Sequence, residues 1–225
     1  MKNTKTEQIL KKIYKNTFKR IFPSGAEISD KFLIKELKDC SSVLDLGCGP
    51  HSPLGRIKHE LKPDLYSVGV DDFDPYLEKN KLEQIHTKYV KSNIFDIDFP
   101  EKSFDCIILM DVIEHFEKED FLKLLPKLEK ISKKIIIMTP NGFVPQEEYD
   151  GNEYQIHKSG WTVEDMSKLG FKCVGVLGLK YLRGELAATR IRPALIGNMI
   201  SNMTEPFVYR NPKIAYHLLC VKNNK

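Results

Sequence analysis

Two groups of residues in this 225-residue chain combine types and spacings that can do chemistry. The first is Asp45-Leu-Gly47-Cys48-Gly49, inside the run SVLDLGCGP. Apolar residues surround an acid and lead into two glycines one residue apart. A strand that ends this way gives up side chains where the backbone must turn sharply or approach a ligand closely. The next β-rich run ends on Asp71 and Asp72, in VGVDD. A strand-end carboxylate can accept both hydroxyls of a ribose, and a glycine loop followed roughly twenty residues later by such an acid is the logic of nucleoside sites on parallel sheets. The second group is Asp111, Glu114 and His115, followed downstream by His157, Trp161 and Thr162. Offsets of three and four place Asp111, Glu114 and His115 on one side of a helix or turn. Simple structural roles also exist here: Trp161 packing beneath the next helix, and Thr162 capping it.

Short β-rich runs position these groups. They are Val43–Leu46, Tyr66–Val70, Lys88–Val90, Phe104–Met110, Ile135–Met138, Cys173–Leu177 and Tyr216–Val221. The early ones are continuously apolar, as parallel strands covered on both faces must be. Helical patterns fall between them, notably Lys118–Lys130, with an expected break near Pro126, and Thr162–Leu169. Residues 5–22 read as a basic amphipathic helix with Ile9, Ile13 and Phe18 near helical spacing, and Asp30 as the cap of a second helix through Leu37. The β-α alternation predicts an α/β fold, a doubly wound sheet whose ligands lie outside the carboxyl ends of the strands.

Composition bounds the function. A chain that is 41% hydrophobic and 29% charged, with net charge +4, reads as a soluble globular protein and makes no demand for nucleic acid. Five scattered cysteines without a CxxC pair argue against a zinc cluster or disulfide scaffold and for a reducing, cytoplasmic setting. No apolar run is long enough to span a bilayer. A nicotinamide dinucleotide would prefer GxGxxG, but Ser52 stands at the third glycine and a second mononucleotide half is missing.

The ordered motifs resemble those of class I S-adenosylmethionine-dependent methyltransferases of the type 11/23 kind. VLDLGCGP resembles the glycine-rich first motif and SVGVDDFDPYL the second. YVKSNIFDIDFPEKSFDCIILMDVIEHF resembles the adenine-binding and post-strand-four segments, and IIIMTPNG the fifth strand. The resemblance covers about residues 35–180 and implies a Rossmann-like, mostly parallel seven-stranded sheet in the order 3-2-1-4-5-7-6, its last strand antiparallel. It implies S-adenosylmethionine as cofactor, with Asp71 on the ribose and Asp45, Gly47, Cys48, Gly49, Asp72, Asn93, Ile94 and Met110 completing the cofactor site. Asn93 stands where an acid commonly receives the adenine amino group; its side-chain oxygen still accepts. Strands four and five are neighbours in that topology, so Asp111, Glu114, His115 and His157 converge beside the methyl group. Two carboxylates and two imidazoles suit a divalent cation such as Mg²⁺, Mn²⁺ or Zn²⁺, and His115 and His157 are the candidate acid–base residues. The pattern also resembles plant small-RNA 2′-O-methyltransferases and quinone-pathway O-methyltransferases, although Asp111 replaces a glutamate.

The expected activity is methyl transfer to a small or medium acceptor at oxygen, the acceptor a small molecule or a lipid- or glycan-linked one. A non-catalytic cofactor-binding subunit and a nicotinamide oxidoreductase are the alternatives. Residues 1–38 are expected to cap the site. Residues 141–160 and an insertion at 179–214, with Arg183, Arg190 and Arg192 before an apolar stretch, are expected to shape it for substrate.

Overall fold

The computed structural model describes residues 18–148, 151–184 and 187–224. Its sheet contains β1 (Ser42–Leu46), β2 (Tyr66–Asp71), β3 (Lys88–Lys91), β4 (Cys106–Met110), β5 (Lys134–Pro140), β6 (Lys172–Leu179) and β7 (Ala215–Asn223). Their order is β3-β2-β1-β4-β5-β7-β6, all parallel except β7, which runs antiparallel to both β5 and β6. This is the expected order, with the last strand antiparallel as expected. The helices are α1 (Gly25–Leu37), α2 (Leu54–Ile57), α3 (Asp74–Leu82), α4 (Lys118–Ile131), α5 (Val163–Lys168) and α6 (Ala194–Arg210).

The continuous apolar runs are explained by a core on each face of the sheet. Leu44, Leu46, Ile107, Leu109, Ile135 and Ile137 point to one face, where Phe121, Leu124 and Leu128 of α4 and Met166 of α5 cover them. Val43, Cys106, Ile108 and Ile136 point to the other, under Phe32, Leu33 and Leu37 of α1 and Leu54 and Ile57 of α2. Strand side chains alternate with period two, so a strand buried on both sides must be apolar at every position.

Three local expectations change. Pro126 does not break α4. It sits on the solvent side of a helix whose other side is anchored by five buried apolar residues, so the lost N–H bond is tolerated. Asp30 does not cap α1, which starts earlier at Ser24 with a capping box closed by Glu27. Asp30 instead takes a two-pronged ion pair from Arg56, at 2.8 and 3.2 Å. The predicted helix over 5–22 lies mostly outside the described residues, which retain only a helical turn at Lys19–Ile21.

The insertion after β6 is filled by α6, and the contact between them has an unusual construction. β6 carries a bulge between Val176 and Leu179, with Leu177 and Gly178 both in the left-handed region (φ 66° and 74°). A side chain at Gly178 would meet Ser201 Oγ at 2.2 Å, and one at Gly25 would meet the Leu177 backbone at 2.6 Å. Both helices therefore touch the bulge through glycine. Buried Glu205 of α6 faces the N–H groups of Leu177 and Gly178, and Arg183 adds positive charge, yet burial prevails and pushes its carboxyl up to about 7.

A carboxyl with a raised folded pKa costs stability as it ionises. The cost is absent below its ordinary value of 4.5, grows as pH rises through about 7, and is complete above that. Glu205→Gln should therefore raise unfolding free energy at pH 9 by up to about 3 kcal/mol and bring no gain at pH 4. Urea melts of both proteins across pH measure the difference; an equal gain at both ends would refute the account.

Candidate functional site

β1 ends where the chain must pass over β2 without side chains. Gly47 and Cys48 both donate N–H bonds to the Val70 carbonyl, at 2.8 and 3.0 Å. Gly47 has φ 67°, and a Cβ there would meet Val112 at 2.8 Å, so both conformation and space demand glycine. Gly49 follows at φ 55° and donates its N–H to Asp71 Oδ2 at 2.9 Å. Phe73 N–H donates to Asp71 Oδ1 at 2.9 Å, and buried Asn80 of α3 donates to the Gly49 carbonyl at 2.9 Å. The turn is thus held from three sides before any ligand arrives. Each Asp71 oxygen keeps a further lone pair. Burial raises the Asp71 pKa, opposed by the two backbone N–H groups.

A cavity of about 960 Å³ opens over this turn at the carboxyl edge of the sheet. Its walls include every residue predicted for the cofactor: Asp45, Gly47, Cys48, Gly49, Asp71, Asp72, Asn93, Ile94 and Met110. Asn93 donates to Asp72 at 3.3 Å while its Oδ1 accepts from Phe95 N–H at 3.1 Å. The Cys48 thiol is buried beside Asp45 and Asp71 and pushed far up, so it is a wall and not a nucleophile. Ser29 and Asp30 of α1, Phe73 and Tyr76 after β2, Tyr154 of the 141–160 loop and Leu177 of the bulge complete the lining. They were not legible as site residues, because their side chains reach the cavity only through tertiary packing.

Asp45 lines the cavity and also has a structural partner set. It is 1% exposed, and its carboxylate is committed inward. Ser52 Oγ donates to it at 2.5 Å, and the fully buried His86 ring stands 3.4 Å away. It thereby ties the residues after the glycine turn to the chain entering β3. Gly69 lies opposite Asp45 in the β1–β2 register, and a Cβ there would meet the His86 ring at 2.5 Å.

The second group forms where β4 and β5 lie side by side. Ile113–His115 is one buried 3-10 turn. The loop before α5 docks on it, with Lys158 and Ser159 N–H donating to the Glu114 carbonyl at 2.8 and 3.0 Å and Trp161 Nε1 to the Ile113 carbonyl at 3.3 Å. Trp161 is buried against Phe121, and Thr162 caps α5 with Asp165 completing a capping box. Those structural roles are the ones seen. The docking brings ligand-capable atoms of Glu114, His115 and His157 within 4.8 Å of one another. Asp111 is not in that group. Its backbone turns left-handed (φ 56°), and its carboxylate pairs with His217 Nε2 at 3.2 Å. His217 escaped the sequence reading; the signal was the antiparallel last strand, which sets it opposite Pro140 at the end of β5.

The three-residue group fits a divalent cation. Carbonyls of Ile156 and Val144 face Nδ1 of His115 and His157, at 3.4 and 2.6 Å, which leaves the lone pair on Nε2 of each ring. Burial lowers both imidazoles, His115 to about 4, so both are neutral at pH 7. Glu114 accepts from Thr139 Oγ1 at 3.0 Å through one oxygen, while Oε1 is buried without a partner. Burial, and then Asp111, holds its carboxyl well above the usual range. An unsatisfied buried carboxyl oxygen beside two neutral imidazoles is a donor set that a cation would complete, displacing the carboxyl proton.

Residues 44–135 match the family described as "Methyltransferase domain". An uncharacterized protein, MJ0638, of Methanocaldococcus jannaschii is 24% identical over 177 residues, which cover 76% of this chain and 72% of that one. Among solved structures, an S-adenosylmethionine-dependent methyltransferase from Archaeoglobus fulgidus superposes with TM-score 0.55 at 20% identity, over 93% of this chain and 99% of that one. The small RNA methyltransferase HEN1 superposes with TM-score 0.57 at 18% identity, over 90% of this chain and 26% of the longer enzyme.

The Asp45 hub predicts an effect at a position that lies outside the cavity. Gly69→Ala forces His86 off Asp45 and should destabilise the fold by about 1–3 kcal/mol. The Gly69→Ala/His86→Ala double variant should lose less than the sum of the two single variants, because one removes the other's clash. Denaturant melts of the four proteins complete the cycle; strict additivity would mean that the two residues do not interact.

Proposed function

We propose that this chain acts as a class I S-adenosylmethionine-dependent methyltransferase and transfers the methyl group to a hydroxyl oxygen of a small or medium acceptor. The observation that carries this reading is the Glu114, His115 and His157 group, one member of which lines the cavity that also holds the glycine turn and Asp71. In the proposed complex Asp71 accepts the ribose hydroxyls, and the Gly47–Gly49 turn lies against the methionine part. Asp72, Asn93 and Ile94 surround the adenine, while Cys48 and Met110 form apolar wall. Asp45 serves indirectly, by holding Ser52.

The acceptor oxygen attacks the methyl carbon in line as the carbon–sulfur bond breaks, and S-adenosylhomocysteine leaves. The sulfonium is already activated, so the chain supplies position and a tolerant environment. The hydroxyl proton must also depart, and where no cation occupies its Nε2 a neutral imidazole of His115 or His157 can take it. A divalent cation bound by Glu114, His115 and His157 would supply Lewis-acid polarisation of the acceptor oxygen. The resemblance of this segment to small-RNA 2′-O-methyltransferases supports a hydroxyl acceptor, and puts RNA 3′ ends among the acceptors to test.

Asp71→Ala should weaken S-adenosylhomocysteine binding by about 1.5–3 kcal/mol in calorimetry, the cost of removing a charge-assisted acceptor. Unchanged affinity would remove that assignment. Acceptor pools with labelled cofactor, with and without chelator, test the rest. The expected result is an alkali-stable methyl ether whose formation chelation abolishes while S-adenosylhomocysteine affinity is kept. A chelated enzyme at full rate would leave an imidazole acting as plain base, and a methylated nitrogen or carbon would overturn the oxygen assignment.

A further inference from the structure

Helix α6 buries polar residues and exposes apolar ones. Its buried side presents Ser201, Asn202 and Glu205, which are 0%, 2% and 0% exposed, beside Gly197 and Val208. Its outer side presents Ile196, Ile200, Met203 and Phe207, which are 48%, 38%, 53% and 57% exposed. The spacings of four, three and four put these four residues on one line along the helix. The stripe is about 16 Å long at 1.5 Å per residue. Single exposed apolar side chains are ordinary, but a continuous line of them marks a surface that is covered in use.

Charge identifies the cover. Arg190 and Arg192 precede the helix, and Arg210 prolongs the stripe's line at its last residue; all three are exposed. No acid among the described residues pairs with them. The one acid of α6, Glu205, is buried on the opposite side. A second copy packed stripe to stripe in antiparallel fashion would set Arg210 against the other copy's Arg192, like charge on like. An apolar line with cations at both ends matches a bilayer surface, where the side chains enter the acyl boundary and the guanidinium groups meet headgroup phosphates.

We infer that α6 docks this methyltransferase on anionic membrane surfaces through Ile196, Ile200, Met203 and Phe207, with Arg190, Arg192 and Arg210 at the headgroups. The buried side of α6 rests on the β6 bulge, and Leu177 of that bulge lines the cofactor cavity. One layer of contacts therefore separates the docked face of α6 from the cavity wall. This fits a lipid-linked acceptor, a point that rests on the methyl-transfer reading; the docking itself does not.

The test is co-sedimentation with phosphatidylcholine vesicles, with and without phosphatidylglycerol, at low and high salt. The full-length protein should sediment with the anionic vesicles alone, and high salt should release it. Arg192→Glu should lower partitioning roughly tenfold, and Phe207→Asp should abolish it. Both positions are exposed, so both variants should keep wild-type melting and S-adenosylhomocysteine binding. Failure of that control would concern the cofactor site, not the docking. The inference falls if the protein ignores both vesicles, if Phe207→Asp sediments like wild type, or if the protein is a dimer in solution that Phe207→Asp dissociates.

Discussion

The site depends on one hydrogen bond across two strand ends, from the Gly49 N–H to the Asp71 carboxylate. It joins the turn after β1 to the acid that ends β2, and the two strands are held in parallel register beneath it. A carboxylate in a half-buried position would ordinarily be costly. Here the cost is offset in part by backbone N–H groups that the turn leaves without partners of their own. The turn and the acid therefore stabilise each other, and neither would keep its geometry alone. Asn80 and the Val70 carbonyl close the remaining degrees of freedom, so the cavity floor is formed before a ligand binds.

A different economy governs the far half of the edge. Polar groups around Glu114, His115 and His157 are placed by backbone hydrogen bonds from a docked loop, but their own demands are not all met. Glu114 keeps an orphaned oxygen and both rings are held neutral by burial. The edge thus has a preformed floor at one end and, at the other, a wall with a carboxyl oxygen still short of a partner. Trp161 and Gly160 show how the loop comes close enough. The indole fills the space above α4, and a Cβ at Gly160 would stand 2.2 Å from Phe143 N.

Much of this was legible from residue order. Seven β-rich runs appeared as strands, and in β1 and β4 burial on both faces leaves a continuous apolar signature. The glycine turn and Asp71 were legible for a similar reason: few residue types meet those backbone demands. The inward bonding of Asp45 was not legible because an acid at a strand end looks the same in sequence whether it faces a ligand or an inner histidine. Only Gly69, by leaving room for His86, distinguishes the two, and its meaning appears only in the paired register. Asp111 and His217 were beyond reach for a related reason. Their pairing depends on a left-handed residue and on an antiparallel strand more than a hundred residues away. Asp30 was assigned as a cap because capping residues and helix-surface acids share the same chemistry.

The bulge at Leu177 and Gly178 joins three things that a simpler sheet would keep apart: the start of α1, the middle of α6 and the wall of the cavity. Gly25 and Gly178 meet their neighbours with no room for a methyl group. Descendants of this sequence are therefore not free to remodel the outer helix while keeping the inner one. A larger side chain at either glycine would shift the other helix and the cavity wall with it. Drift at these sites must be concerted or absent, and a pair of positions 153 residues apart by count (178 minus 25) should vary together in lineages that reshape this wall.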